Sequence, residues 1–278
     1  MGPQNYSLHA YLLYQFSEIK GLTHVISRKV TMKIKNLLEN NQTLIECTVW
    51  DATSAKQAER LGFQVATTLS SVFADMFGYE DGKQLSFSEV KFMLERISKN
   101  TSLPLSVDLE YGYSEDPLIV AENIKDLHRL GVVSVNLEDS RLIGKPHLID
   151  SEVNAEKIAI IKQKLALSDI EVFINARIDT YYLKFYGVEH PNPLEETLNR
   201  VALYQQAGAD GIFVPGASED LPQIINATNL PVTVVVEPEN IEKYKKLGVK
   251  RICLSNDLYV DAMKHLEKRL SGCTNTRI

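Results

Sequence analysis

The chain has 278 residues, 44% of them hydrophobic and 24% charged, with 30 basic against 36 acidic side chains and a net charge of −6. Those proportions exclude a collagen-like, mucin-like or wholly disordered chain. The mildly acidic balance, with no basic tail, argues against nucleic acid or an anionic membrane as the main partner.

The first thirty residues contain a short apolar patch, Ala10 to Tyr14, with no positive segment ahead of it. That pattern is not a secretory signal, and no stretch approaches the roughly 20 apolar residues of a membrane helix. Residues 1–41 read as an N-terminal extension with a leading helix, and Met32 is a possible alternative start. The three cysteines, Cys47, Cys253 and Cys273, are too few and too scattered for a disulfide framework or zinc knuckle, which points to a reducing, cytoplasmic setting.

From Leu44 onward short Val/Ile/Leu-rich runs alternate with helical patterns. The predicted strands are LIECTVW (44–50), FQVATT (63–68), LPLSVDLE (103–110), VVSVNLE (132–138), EVFINAR (171–177), GIFVP (211–215), PVTVVVE (231–237) and RICLS (251–255). Gly62, Gly131, Gly208 and Gly248 are placed to end the intervening helices. Asp116-Pro117 and Asn192-Pro193 are placed to start two of them, and Asp51 reads as the cap of another. Eight apolar strands, each followed by a helix, predict a single (β/α)8 TIM-type barrel over residues 42–278, of the α/β class. An open doubly wound sheet is the competing architecture, but no G-x-G-x-x-G follows the first strand. Two connections are long for βα loops, 69–85 and 139–150; both follow strands, where barrel enzymes carry active-site loops and lids.

The chemistry is expected at these strand ends. Asp108 and Glu110 are two apart on the third strand and should share a face. Glu138-Asp139 ends the fourth strand, its expected neighbour, which gathers three or four carboxylates into one volume. Uncompensated, they would raise one another's pKa; a hard divalent cation, Mg²⁺ keeping some of its waters, resolves the repulsion. Asn175 and Arg177 share a face at the end of the fifth strand, and Arg177 offers a planar fork to a carboxylate or phosphoryl group, or a salt bridge to the acids beside it. Thr68, Leu69 and Ser70 could present hydroxyls and backbone N–H groups to an anion. Lys145 and His147 are the titratable candidates of the second long loop, with His147 suited to acid–base work near neutrality. Tyr111 and Tyr113 could line the pocket or simply pack.

VWDATSAKQAERLGF, FGYEDGKQLS, VDLEYGYSEDP, VNLEDS, INARIDTY and AGADGIFVPG occur in order between Ile45 and Ser255. In this the chain resembles the isocitrate lyase and phosphoenolpyruvate mutase superfamily. The resemblance implies a Mg²⁺-dependent barrel enzyme, usually a homotetramer with swapped C-terminal helices. Such enzymes make or break C–C or P–C bonds in small oxo- and hydroxycarboxylates through an enolpyruvate-like intermediate. It implies that Asp108, Glu110, Glu138 and Asp81 serve the metal, that Arg177 grips the substrate carboxylate, and that Thr68 and Ser70 hold substrate oxygens.

The departures from that pattern are specific. Where the lyases resemble one another in K-[KR]-C-G-H, this chain reads Gly144-Lys145-Pro146-His147-Leu148, and Cys253 falls in the last strand as a core residue. Where the mutases and phosphonopyruvate hydrolases carry histidine at the end of strand six, it has Pro215-Gly216, which also removes the glutamate of the lyases. The leading expectation is a lyase or decarboxylase cleaving a C–C bond in a small 2-oxo or 2-hydroxy carboxylate. P–C chemistry on phosphonopyruvate, and a catalytically lapsed barrel that binds a metabolite, are the competing readings.

Overall fold

The computed structural model describes residues 34–39, 42–217 and 219–273. The apolar patch at Ala10–Tyr14 and the possible start at Met32 lie outside them. Eight parallel strands close into a barrel: β1 (Leu44–Thr48), β2 (Val65–Thr68), β3 (Leu105–Asp108), β4 (Val132–Glu138), β7 (Phe173–Arg177), β8 (Gly211–Phe213), β9 (Val232–Val236) and β10 (Arg251–Leu254). Around the barrel β3 pairs with β4, β4 with β7, and β10 closes onto β1. The fold is a TIM barrel. Every strand falls inside a run anticipated from sequence, because strands buried on both faces must be almost continuously apolar.

Helices run between the strands: α2 (Ala52–Arg60), α3 (Ser70–Met76), α4 (Phe87–Ser98), α5 (Pro117–His128), α6 (Ser151–Ala166), α7 (Pro193–Gln206), α8 (Leu221–Asn226), α9 (Ile241–Lys246) and α10 (Asp257–Ser271), after a leading α1 (Ile34–Leu38). Their limits have local causes. Asp51 and Ser86 each form a reciprocal capping box with the residue three positions on, and Asp116 caps α5 ahead of Pro117. Gly62, Gly131, Gly208 and Gly248 take left-handed φ between 86° and 90° beyond helix ends. Asn192 stands at the start of α7 but its side chain makes no capping bond; its amide turns to Glu195 instead.

The barrel's lower end is sealed by Ile34 of α1 against Leu44, Val65, Val133 and Phe173. The interior above is partly polar. Arg251 and Glu46, both wholly buried, pair at 2.6 Å, with Ser106 and Ser134 also accepting from the guanidinium and Cys253 donating to Glu46. Asn136, Asn175 and Thr233 form a further hydrogen-bonded set.

Both long connections contain regular structure. Residues 69–85 contain α3, and 139–150 fold as a hairpin of β5 (Ser140–Arg141) and β6 (His147–Leu148). The two connections meet: a Cβ on Gly82 (φ +67°) would lie 2.6 Å from Leu142, so only glycine fits under the hairpin. Among the described residues, no helix is long and apolar enough to cross a membrane.

Candidate active site

The C-terminal mouth of the barrel holds a cavity of about 160 Å³. Asp81, Asp108, Glu110, Glu138 and Arg177 line it together with Leu69 and Ser70, so most of the polar residues singled out from sequence converge there. The register explains part of the convergence: Glu138 lies directly opposite Arg177 across the β4–β7 pair.

Arg177 is the hub. Its Nη1 lies 3.3 Å from both Asp108 Oδ2 and Glu138 Oε2, and its Nε donates to Asp179 Oδ1 at 2.7 Å. The guanidinium stacks over Tyr182, 4.6 Å from the ring centre. Burial alone would lower its pKa, but Asp179, Glu138 and Asp108 outweigh burial and keep it protonated. Its Nη2 makes no hydrogen bond among the described residues, which leaves one donor edge for a ligand. Asp179 is held in turn by Ser140 Oγ at 2.7 Å, and its backbone N–H donates to Asp139.

Of the three or four strand-end carboxylates expected to meet, Asp108, Glu110 and Glu138 do and Asp139 does not. It points outward into a separate buried network, where Arg200 Nη1 and the Tyr204 hydroxyl each approach it at 2.8 Å. Asp81 takes the vacant place from the other long connection, fixed by the Tyr186 hydroxyl at 2.7 Å.

Glu110 arrives by a route that strand alternation does not describe. β3 ends at Asp108, and Glu110 (φ +48°), Gly112 (φ +90°) and Tyr113 (φ +61°) form a left-handed turn. The turn is tied down by a bond from Glu138 N–H to the Glu110 carbonyl at 2.9 Å. Beneath it, buried Lys157 donates to the carbonyls of Tyr111 and Ser114 at 2.6 and 3.1 Å. Burial, then the Arg141 charge, lowers Lys157 to about 8.

Burial, reinforced by Asp108 and Asp81, raises Glu110 to about 7. Asp108 and Glu138 are also raised, by burial first, with Arg177 opposing. Glu110 Oε1 and the Tyr113 hydroxyl are buried close to one another, and neither completes a well-formed hydrogen bond. Hard oxygen donors, an incompletely bonded carboxylate oxygen and three carboxyls that resist ionisation together suit a divalent cation. Among the described residues no three His, Cys, Asp or Glu side chains surround one point closely enough to ligate it outright. A divalent ion held here would have to complete its shell with water.

Four sequence candidates lie away from the cavity wall. Asn175 is one layer down, its amide donating to Asn136 and its oxygen accepting from Thr233. Thr68 is buried with its hydroxyl unpartnered. Lys145 and His147 are exposed on the outward-facing hairpin, where His147 Nδ1 lies 2.8 Å from the Lys145 carbonyl. Sequence reading missed Tyr182, Leu142, Phe213, Val235, Ser255 and Asn256, all of which line the cavity. Tyr182 had a signal, since it follows INARIDT at a strand end; the apolar residues had none to separate them from the core.

The barrel thus gathers one arginine and several buried carboxylates at the C-terminal mouth, the end at which TIM-barrel enzymes carry their active sites. The chain matches the phosphoenolpyruvate phosphomutase family over residues 34–273 and belongs to it, within the superfamily that also holds isocitrate lyase. A Mycobacterium tuberculosis protein without an assigned function is 33% identical over 206 residues, 73% of this chain and 74% of that one. An oxaloacetate decarboxylase of Paraburkholderia xenovorans is 25% identical over 225 residues, 79% of this chain and 73% of its own. A crystal structure from Burkholderia cenocepacia, provisionally assigned as a phosphonomutase, superimposes with a TM-score of 0.75 at 36% identity, covering 83% of this chain and 94% of that one.

Proposed function

We propose that this chain is a Mg²⁺-dependent enzyme that cleaves a C–C bond, as a lyase or decarboxylase, in a small 2-oxo or 2-hydroxy carboxylate through an enolpyruvate-like intermediate. The observation that carries the reading is one protonated arginine with a free Nη2 edge beside four cavity carboxylates. Asp108, Glu110, Glu138 and Asp81 would hold the ion, directly or through water, and the ion would supply positive charge beside the substrate's oxo oxygen. Arg177 binds and orients the carboxylate, while Asp179 and Tyr182 fix the plane of the guanidinium. Ser70, donating to Asp108 at 3.0 Å, fixes the carboxylate plane on the opposite side. Leu142 and Gly82 roof the cavity, which restricts water around the scissile bond.

The likeness to a decarboxylase supports this reading; Pro215, which follows β8, cannot handle a proton and so supplies neither the histidine of the mutases nor the glutamate of the lyases. P–C chemistry remains the second reading, favoured by the family match and the 36% identical structure. The first test is a Mg²⁺-supplemented screen of oxaloacetate, methylisocitrate and phosphonopyruvate, reading pyruvate and phosphate release. Pyruvate release that needs Mg²⁺ and disappears in Asp108→Ala is expected. Phosphate release from phosphonopyruvate would move the assignment to P–C chemistry. An Asp108→Ala variant unchanged in Mg²⁺ binding and turnover would leave only a lapsed, metabolite-binding barrel.

The protein further acts, on this proposal, as a cytoplasmic homo-oligomer, a dimer or tetramer. Unpaired Cys47, Cys253 and Cys273 support the compartment, and the exposed apolar stripe of α10 supports the assembly.

A further inference from the structure

Building on the proposed reading, we infer that the end of the substrate remote from Arg177 is uncharged: the site takes a 2-oxo or 2-hydroxy monocarboxylate bearing an acyl or alkyl group, in preference to a dicarboxylate or a phosphonate. The order of strands fixes what faces what. The acids sit at the ends of β3 and β4, with Asp81 in the connection after β2, so the opposite wall of an eight-stranded barrel comes from β9 and β10. That wall is Val235 with Ser255 and Asn256, continued by Phe213 at the end of β8 and Pro215 after it, and roofed by Leu142. Among the described residues, Arg177 is the one Lys, Arg or His side chain lining the cavity.

Among the described residues, Arg141, Lys157 and Arg200 are held by partners outside the cavity, and Lys145 and His147 do not line it. Arg141 pairs with Glu115 at 2.8 Å and stacks on Tyr111. Lys157 is buried beneath the turn with its ammonium on two carbonyls. Arg200 is held by Asp139 and Glu196. Lys145 and His147 are exposed on the hairpin. Arg177 itself already faces Asp108, Glu138 and Asp179 and, on the proposed reading, takes the substrate's first carboxylate. A second anionic group would therefore meet a wall without a cationic side chain, in a space of about 160 Å³. An acyl or alkyl end meets Phe213, Pro215 and Val235 without that penalty, and the Asn256 amide can donate to a carbonyl oxygen, the Ser255 hydroxyl being given to Asp257.

Matched pairs test this, since a terminal carboxylate is close in shape to an acetyl or isopropyl group. Binding of malate and of 2-hydroxy-4-methylpentanoate is measured by calorimetry in Mg²⁺, with oxalate as the probe for the metal and Arg177 end. Turnover of oxaloacetate, which loses CO₂ to give pyruvate, is compared with that of 2,4-dioxopentanoate. There the C3–C4 bond breaks as water adds to C4, giving acetate and pyruvate. The 4-methyl acid is expected to bind at least tenfold more tightly than malate, and the dioxo acid to have the higher kcat/KM. Val235→Arg and, independently, Pro215→His should narrow or reverse the preference for the uncharged end. Malate binding as well as or better than its isostere overturns the inference while Mg²⁺-dependent oxalate binding leaves the proposed function standing. If oxalate does not bind with Mg²⁺, the proposed function falls; if neither hydroxy acid binds, the inference falls with it.

Discussion

Glu138 and Asp139 are adjacent in sequence and end in separate networks, one facing Arg177 in the cavity and the other facing Arg200 and Tyr204 outside the barrel wall. Successive side chains at a strand end point to opposite faces, so composition alone overcounts the acids of such a site. Asp108, Glu138 and Arg177 were legible because they sit inside or at the end of their strands, where alternation holds. Glu110 was legible only as a residue type, since a left-handed turn brings it into the cavity. Its titration has a measurable consequence. With its folded pKa raised from 4.5 to about 7, the folded protein binds more protons than the unfolded chain between those values. Its contribution to stability is thus complete below pH 4.5 and declines as pH rises through 7. Mg²⁺ compensates for the ionised form, so the rise in Tm on adding Mg²⁺ should be larger at pH 8 than at pH 5.5. An equal rise at both would show that the ion binds away from these carboxylates. His147 carries the opposite expectation: exposed and outside the cavity, it can be changed to alanine with kcat/KM retained within a few-fold. A loss of a hundredfold or more would place it in the reacting complex.

At the scale of elements, the eight strands were legible because two-sided burial leaves continuous apolar runs, whereas the long connections carried no period to read. Their helix and hairpin are set by contacts between segments far apart in sequence, such as Gly82 against Leu142 and Asp81 against Tyr186. The same holds for the wholly buried Arg251–Glu46 pair, whose residues are 205 positions apart in two runs that read as ordinary strands. The turn after β3 is where element geometry and site meet. Gly112 has φ +90°, and a Cβ there would lie 2.5 Å from Val120 Cγ1 on α5. Gly112→Ala therefore combines backbone strain with overpacking, each of order 1–3 kcal/mol. The expected result is a Tm several degrees lower and a weakened Mg²⁺ response, because Glu110 moves with the turn. Denaturant melts with and without Mg²⁺ measure both effects. A variant as stable as the parent would mean that α5 yields more readily than its packing suggests.

At the scale of the whole molecule, the eighth helix is the element that the single chain leaves unfinished. α10 follows β10 and buries only Tyr259, while Met263, Leu266 and Leu270 stay 39%, 50% and 56% exposed on one face. Among the described residues, a groove of about 510 Å³ beside the start of α10 is lined by Trp50, Leu61 and Phe63 together with Leu258 and Ala262. An apolar stripe at helical spacing and an apolar groove on the same chain complement each other between two copies, and reciprocal exchange closes both without leaving an open edge. Light scattering on the purified chain should accordingly give a dimer or tetramer. Leu266→Glu with Leu270→Glu puts charges on a surface that is already solvent-exposed in the monomer, so the fold should persist while the assembly dissociates. Circular dichroism separates that outcome from unfolding. A parent protein that is monomeric at micromolar concentration, or a double variant that remains assembled, would remove α10 from the interface.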